Sequence, residues 1–314
     1  TKLLRKMWNV QQFIGNVIKK GKPKETKLLD IDKWILSKYS KLVKKCTDKM
    51  DVFDYSQSMK EIEYFLWHEL ADHYIEMIKS SIYDKKNIGS IHYTLYTIGL
   101  GILKLFAPFL PHITEEIYYS HYKKFEGGDS IHTSNWPKPL LIDEEKERAG
   151  ETVKTYISLV RSWKSEQSIA LNAPINAIAT YASEKVISKL KPSSSIIVST
   201  LKFPPEHKFI KGEPSVEKII KNIFPIHSKI GPNLKKYGKK LIEDINNNKE
   251  EIIEKIQKNE DIPLSEFYPA GSAVPNEKIV QDKYVKIEEE IVVKDKRDRK
   301  IVPFNGFYLE IQGE

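Results

Sequence analysis

Two histidines and an aspartate between residues 68 and 73 are the side chains best suited to metal chemistry in this sequence. A zinc site on one α-helix needs two histidines four residues apart, because residues at that spacing lie on the same face. His73 follows His68 by five positions, which on an α-helix is roughly 140° around the axis. Asp72 stands four residues after His68, but a single His–Asp pair makes a weak site. The spacing therefore favours polar partners packed within a helical bundle. A metal-dependent bundle enzyme that uses His68 and Asp72 is the alternative.

The rest of the sequence contains no pattern that is typical of a catalytic centre. It has no glycine-rich phosphate loop and no nucleophile-elbow motif. Its one cysteine, Cys46, excludes a disulfide within the chain and a cysteine-rich zinc site. The adjacent carboxylates at 115–116 and 288–290 are typical of helix caps or solvated faces. We therefore predict that this segment is not catalytic by itself and holds no metal or cofactor of its own.

The first twenty residues indicate a different kind of chemistry. At about 100° per residue, one side of a helix over this stretch collects apolar residues, namely Leu3, Leu4, Met7, Trp8, Val10, Ile14, Val17 and Ile18. The opposite side collects cations, amides and one aromatic ring, namely Lys2, Lys6, Asn9, Phe13, Asn16 and Lys20. Such a face suits an unpaired nucleobase, because the ring can stack, an amide can read a base edge and ammonium groups can meet phosphates. Phe13 lies only roughly 40° from Val17 around the helix, so the alternative is that a neighbouring element covers its ring.

The charge distribution points to the same end of the chain. The formal net charge is +8, and residues 1–50 hold 14 basic side chains against four acidic ones. This part alone carries +10, so the remaining residues sum to −2. A basic excess confined to one region is typical of a surface that binds a polyanion. The alternative is a structural or protein-interaction module, in which the lysines only solvate the outer faces of two helices.

Helices must position these residues over the first half of the chain. Periodic apolar residues and cap signals predict four long helices, with a shorter one from residue 111, at residues 1–20, 32–50, 54–82 and 88–106. Asp54 is the predicted N-cap of the third helix. Short connections between long amphipathic helices predict an up-and-down bundle over residues 1–140. The apolar stretch from 95 to 113 is interrupted by Lys104 and two prolines, so it predicts a buried helix and not a membrane span.

Residues 141–314 predict a smaller α+β region, divisible into subdomains at 141–234 and 235–314. A helix is expected at 144–165, and a charged helical stretch with a weak centre at 246–248 is expected over 235–258. Short runs rich in β-formers predict strands at 175–181, 195–201, 207–211, 279–280, 284–287, 291–293 and 307–311. The expected fold class is therefore mainly α, with a helical bundle followed by a smaller α+β region.

Four segments follow one another in an order that is specific as a set. They read L-R-K-M-W-N-V-Q-Q-F at 4–13, D-K-W-I-L-S at 32–37, F-L-P-H-I-T-E-E-I-Y at 109–118, and S-I-H at 130–132 followed by W-P at 136–137. Each resembles a motif of the class I aminoacyl-tRNA synthetases for valine, isoleucine and leucine. The resemblance covers residues 1 to about 174 and implies the anticodon-binding helical bundle of that family, which the first segment opens.

Within that family, residues 65–76 and 164–174 resemble the valine enzymes of archaeal type, and the isoleucine enzymes are the alternative. The resemblance implies a cytoplasmic enzyme that attaches its amino acid to tRNA with ATP and Mg²⁺. The family's active-site signatures H-I-G-H and K-M-S-K-S do not occur in this sequence. The chain also opens at Thr1, directly in a helical pattern. We therefore interpret it as the carboxy-terminal part of a longer chain, without the catalytic and editing domains.

The resemblance also implies which residues meet the tRNA, which is expected to be tRNA(Val). In the family's opening motif the matching Lys, Asn and Phe face the anticodon loop, which implies Lys6, Asn9 and Phe13 in this chain. Lys2 and Lys20 lie on the same predicted face and complete the candidate tRNA-binding set as backbone contacts. The family's Arg before the Phe is Gln12 here, which puts a basic contact at that point in doubt. The charged stretch 294–300 is predicted as a turn that either touches the tRNA body or forms a solvated hairpin tip.

Overall fold

A computed structural model describes residues 2–24, 26–258, 260–268, 278–279, 283–294 and 296–312, without the side chains of Lys20, Lys236 and Arg297. The chain forms two compact units. The first comprises residues 1–176 and 182–211, and the second comprises residues 177–181 and 212–314. The expected fold class, a helical bundle followed by a smaller α+β region, is confirmed.

The first 166 residues are helical over most of their length. The helices in chain order are α1 (Lys2–Val17, followed by a 3₁₀ turn Ile18–Lys20), α2 (Asp30–Asp51), α3 (Tyr55–Tyr64), a π-helix (Phe65–Ile75), α4 (Glu76–Tyr83), α5 (Ile88–Phe106), α6 (Pro111–His121), α7 (Lys123–Glu126) and α8 (Glu144–Glu166). These bounds confirm the predicted helices. Asp54 caps α3 as expected, since its carboxylate accepts the Gln57 amide at 3.3 Å. None of the helices within the described residues is both long and apolar enough to cross a bilayer.

The remainder of the chain alternates helices and strands. The elements are β1 (Ala177–Ala182), α9 (Glu184–Leu190), α10 (Ser194–Leu201), β2 (Lys208–Lys211), β3 (Val216–Pro225), α11 (His227–Leu234), α12 (Gly238–Asn247), α13 (Lys249–Gln257), β4 (Val285–Val293), β5 (Lys296–Phe304) and β6 (Phe307–Gln312). The predicted weak centre of the charged helical stretch is confirmed, because α12 and α13 are separated at Asn248.

The bundle is held at its centre by the carboxylate of Asp32, which is fully buried near the start of α2. Its Oδ1 accepts the Tyr74 hydroxyl at 2.6 Å, and its Oδ2 accepts the Leu29 amide at 3.2 Å and the Ser90 hydroxyl. Burial raises the pKa of Asp32, and the three hydrogen bonds oppose that rise. The carboxylate therefore joins α2, the π-helix and α5 in one network.

A second buried amide fixes α1 against the bundle. Gln11 is fully buried; its Nε2 donates to the Gly99 carbonyl at 2.9 Å, and its Oε1 accepts the Tyr122 hydroxyl at 3.0 Å. On the same helix, Gly15 packs directly against the ring of His121, where an added Cβ would lie 2.6 Å from ring atoms. These contacts set the rotation of α1, because a buried amide must find partners wherever it lies.

The boundary predicted at residue 140 does not coincide with the division into units, because α8 packs along α2. The indole of Trp34 donates to Glu151 at 3.0 Å, and the hydroxyl of Ser37 donates to Glu147 at 2.9 Å. Gly150 allows the two helices to approach closely, since a Cβ there would lie 2.1 Å from Cγ of Trp34. Helix α8 is thus part of the first unit.

The β-rich run at 195–201 was predicted as a strand, and this prediction is wrong. The segment forms α10, which packs on α4. Thr200 donates its hydroxyl to the Met77 carbonyl at 3.3 Å, and Ile197 and Leu201 are fully buried. Tertiary packing therefore outweighs the local preference of branched side chains for strands.

The second unit is built on strands that lie in the order β1, β6, β5, β4, β3, and the pairs β3–β4, β4–β5 and β5–β6 are antiparallel. Strands β3 and β4 pair from Val216 opposite Val293 to Pro225 opposite Val285, with a bulge between Ile220 and Asn222. One side of β3 packs against α12 and α13. The core of this unit includes Ile223, Ile230, Leu241, Ile252 and Val285.

The other strand predictions are right in part. The runs at 175–181, 207–211 and 307–311 are strands, whereas those at 284–287 and 291–293 belong to the single strand β4. At 279–280, Lys278 forms an isolated bridge with Pro263, Ile279 is buried, and Val280 lies outside the described residues. Strand β3 was not predicted.

The charged stretch 294–300 was predicted as a turn, but from Lys296 onward it is strand β5, which lies between β4 and β6. Its charges have partners on both neighbouring strands. Arg299 contacts Glu310 at 2.8 Å, and Lys300 pairs with Glu290. The sequence lacked the usual apolar alternation of a strand because cross-strand ion pairs replace it.

We predict that Asp32→Ala lowers the free energy of unfolding by about 2 kcal/mol or more, because it leaves the Tyr74 and Ser90 hydroxyls without their acceptor and each unsatisfied buried group costs roughly 1–3 kcal/mol. Asp32→Asn keeps one acceptor oxygen and should cost less. Denaturant unfolding of the chain measures both changes. The matched control is Asp48→Ala at an exposed position of α2. Equal stability of the Asp32 and Asp48 variants would show that the network does not hold the bundle.

Candidate nucleic-acid interface

Helix α1 presents an exposed surface on the side opposite to Met7, Gln11 and Ile14. We name this surface the α1 face and define it by the exposed residues Lys2, Arg5, Trp8, Asn9 and Asn16 of α1, together with the exposed Lys19 of the 3₁₀ turn that follows. Two candidates from the sequence, Lys2 and Asn9, therefore lie on it. Lys6 and Phe13 are half-buried at its edge. Lys20 ends the 3₁₀ turn after α1, and its side chain lies outside the described residues.

Trp8 was expected on the apolar, buried side of α1, but 38% of it is exposed. The buried arc next to it is occupied instead by Gln11, which bonds inside the bundle, and by Gly15, which meets His121. Sorting residues by polarity assigned Gln11 to no side and Trp8 to the wrong one. One signal was present in the sequence, because Trp8 lies next to Arg5 and Gln12 around a helix. Trp8 thus adds an indole to the α1 face, beside Asn9.

Lys6 connects α1 to the π-helix. Its Nζ lies 2.9 Å from Oδ1 of Asp72 and 5.0 Å from the ring centroid of Trp67. The side chain of Lys6 is 27% exposed, and that of Asp72 is 41% exposed. The ammonium group is therefore at the surface but already has an acidic partner and an aromatic partner. Sequence reasoning missed Asp72 as this partner, because it lies 66 positions away along the chain.

The π-helix changes the geometry on which the metal hypothesis was judged. Its backbone hydrogen bonds join residues five apart, so His68 and His73 lie closer to one side than on an α-helix, and the angle of roughly 140° was wrong. His68 Nδ1 lies 3.5 Å from Oδ2 of Asp72. Burial, followed by the charge of Lys154, lowers the pKa of His73. Within the described residues, no group of three or more His, Cys, Asp or Glu side chains is arranged to hold a metal ion.

Several residues of the recognised motifs have structural partners. Glu115 accepts the Ser130 hydroxyl at 2.8 Å and the Ile131 amide at 3.0 Å, and so joins the third motif to the fourth. The indole of Trp136 donates to the Thr47 hydroxyl at 2.9 Å. The first residue of the second motif is Asp32. These contacts indicate that three of the four motifs build the bundle, while the first one both packs on it through Gln11 and supplies its exposed face.

Comparison with known proteins identifies the family of the helical bundle. Residues 32–182 match the family model described as the anticodon-binding domain of tRNA ligase. Over 88% of its length the chain is 34% identical to a valine–tRNA ligase of Pyrococcus furiosus. The chain belongs to the anticodon-binding family of tRNA ligases. This membership confirms the resemblance drawn from the motifs, and the matched range extends through α8 into β1.

Other relatives of the same kind are similar to this member of the family. A valine–tRNA ligase of Methanococcus maripaludis is 35% identical over 81% of the chain, and one of Methanocaldococcus jannaschii is 34% identical over 81%. The chain spans 31% of the length of the Pyrococcus furiosus relative and 30% of the Methanococcus maripaludis one. The likeness is thus to the anticodon-binding part of archaeal valine–tRNA ligases.

The close contact between Gly15 of α1 and the ring of His121 predicts that the stability of the fold depends on pH. Burial, followed by the charges of Lys124 and Lys19, lowers the pKa of His121, and its buried Nε2 has no hydrogen-bond partner among the described residues. A histidine whose pKa is lower in the folded state than in the unfolded state contributes its full stabilisation when the pH is above 6.5, the ordinary pKa of histidine. This contribution is lost as the pH falls below that value. We expect the melting temperature to fall below pH 6.5, and His121→Phe to reduce that fall.

The matched control for this prediction is His112→Phe, at an exposed position of the same helix α6. Melting curves of both variants and of the parent chain, recorded across the imidazole range, provide the comparison. An identical pH dependence in the parent and His121→Phe chains would contradict the prediction.

Proposed function

We propose that this chain is the tRNA-recognition part of a valine–tRNA ligase, a cytoplasmic enzyme that attaches valine to tRNA(Val) with ATP and Mg²⁺. The observation that carries the proposal is 34% identity to a valine–tRNA ligase over 88% of the chain, together with an anticodon-binding domain match at 32–182. The catalytic activity belongs to the whole protein, and the part proposed for this chain is to hold the anticodon end of the tRNA.

The α1 face is the proposed contact surface for the anticodon loop. Asn9 is exposed and has an amide that can read a base edge, and Phe13 lies half-buried one turn further along the helix. A ring at the edge of a polar face can stack one splayed base, since stacking accepts any nucleobase. Lys2 and Lys20 are the proposed contacts to the backbone. Lys19, which was also expected to contact the backbone, is exposed on the same side, and the exposed Arg5 adds positive charge that the sequence reasoning did not include.

Lys6 has a more specific role in this proposal than a general phosphate contact. Its ammonium is directed by Asp72 and lies over Trp67, so its position is set before the tRNA arrives. A donor held in place loses less conformational entropy on binding than a freely rotating lysine does. Lys6 is therefore suited to a hydrogen bond with a base edge or one particular phosphate.

Two other functions make different predictions. An isoleucine enzyme would prefer tRNA(Ile), because the anticodon differs. A structural or protein-interaction module would bind tRNA only through salt-sensitive, sequence-blind attraction, because the backbone charge is the same in every tRNA. The family match favours tRNA over a protein partner, and the valine relatives favour tRNA(Val).

Binding of the full chain to tRNA(Val), tRNA(Ile) and an anticodon-swapped tRNA(Val) at two salt concentrations tests the proposal. We expect a preference for the valine anticodon that persists at the higher salt concentration, because base contacts are less sensitive to salt than phosphate contacts are. Equal and salt-labile binding to all three would contradict it. A preference for tRNA(Ile) would instead identify the isoleucine function.

We predict that Phe13→Ala weakens binding of tRNA(Val) by roughly 1–3 kcal/mol, the usual cost of losing one base stack. Lys2→Ala should instead reduce the slope of log affinity against log salt by about 0.7–0.9, because it removes one phosphate contact. Titrations at several salt concentrations separate the two effects.

The matched control for Phe13→Ala is Phe53→Ala, which removes a phenylalanine that is 75% exposed outside α1. Melting temperatures of both variants distinguish a binding residue from a core residue. A Phe13→Ala chain with full tRNA affinity and a lower melting temperature would show that the ring only packs against the bundle.

A further inference from the structure

A cluster of aromatic rings lies at the junction of α3 and the π-helix. The ring centroids of Tyr64 and His68 are 5.0 Å apart, and those of Trp67 and His68 are 6.5 Å apart. Tyr64 is 56% exposed, and the side chain of His68 is 53% exposed. We name these three residues the aromatic platform. Nothing in the recognised motifs or in the proposed α1 contacts assigns a role to Tyr64 or His68.

The platform is fastened to α1 by charged contacts. Lys6 lies over the Trp67 ring at 5.0 Å and pairs with Asp72 at 2.9 Å. The other carboxylate oxygen of Asp72 lies 3.5 Å from Nδ1 of His68. One lysine and one aspartate therefore connect the platform to the helix that carries the α1 face, so the two surfaces are continuous.

The chemistry of the platform favours a nucleobase over an apolar protein surface. Its rings are bordered by the ammonium of Lys6, and Lys60 is exposed one helical turn before Tyr64. Aromatic faces with cations beside them suit single-stranded nucleic acid, since the ring stacks on a base while the cation meets the backbone. An apolar protein partner would desolvate the Lys6–Asp72 ion pair and the exposed ammonium of Lys60, which costs free energy.

The local backbone supports a functional role for this position. Tyr64 is the last residue of α3, and the π-helix that follows extends over eleven residues. π-helical segments are rare, are mostly single turns and are frequent at functional sites. Here the segment directs Tyr74 inward to Asp32 and Asp72 outward to Lys6, so the platform rests on a rigid part of the bundle.

We propose that Tyr64 and His68 stack an unpaired nucleobase of the same tRNA that the α1 face binds, next to the bases held by α1. This inference rests on the proposed tRNA function and extends its contact surface onto a second helix. Lys6 then lies between the two surfaces and serves both. A protein partner on the platform is the competing occupant.

Binding of the full chain to tRNA(Val) and to its isolated anticodon stem-loop tests the platform. Tyr64→Ala should weaken both by roughly 5- to 150-fold, the loss expected for one base stack. Tyr64→Phe should bind like the parent chain, because it keeps the ring. The matched control is Tyr83→Ala, which removes a tyrosine that is 81% exposed at the last residue of α4, beyond the π-helix.

Two further measurements make the outcome decisive. Melting temperatures identify a variant that is merely unfolded, and His68→Ala then serves as the second variant with the same expected loss. If the parent chain prefers the valine anticodon but Tyr64→Ala and Tyr83→Ala bind alike, the platform is overturned while the proposed function stands. If the parent chain shows no anticodon preference, the proposed function is contradicted. The role proposed for the platform is then contradicted as well, because it rests on that function.

Discussion

The bundle depends on the hydrogen bonds that one buried carboxylate accepts. Asp32 lies out of contact with water and is held by Tyr74, Ser90 and the Leu29 amide, each from a different part of the chain. Burying a carboxylate costs free energy unless it is hydrogen-bonded. The helices that carry these donors must therefore pack around Asp32 for the bundle to be stable. Helix α5, fixed by this network, then provides the carbonyl that receives Gln11 and orients α1. The outward face of α1 is thus a consequence of polar contacts in the interior.

The surface proposed to bind tRNA follows from the same arrangement. The π-helix points Tyr74 at the buried carboxylate and Asp72 at Lys6, so one segment serves the interior and the exterior. The candidate contacts on α1 and on the aromatic platform are therefore fixed relative to each other by the bundle. A rigid surface of this kind can discriminate between bases, because wrongly placed partners leave polar groups unpaired.

Local signals predicted the helices of the bundle well, because apolar periodicity and caps such as Asp54 depend only on residues that are close together in the sequence. The motif resemblance predicted the family and the exposed Asn9. The π-helix could not be predicted, since its hydrogen-bond pattern follows from tertiary contacts and not from composition. Trp8 was wrongly predicted to be buried, because the polar residue Gln11 occupies part of the buried side of α1. Residues 195–201 and strand β5 were misread for the same reason, as partners distant in sequence decide their structure.

The length of the π-helix also constrains how this region can vary. A residue lost from a helix shifts its register, and unless the winding of the helix changes to absorb the loss, everything after the deletion turns by about 100° relative to what precedes it. A deletion before Asp72 would separate its carboxylate from Lys6 and carry Tyr74 away from Asp32 at the same time. No single substitution restores both contacts, because the change is one of register and not of side chain. The stretch from Phe65 to Ile75 should therefore tolerate replacement of exposed residues far better than any change in their number.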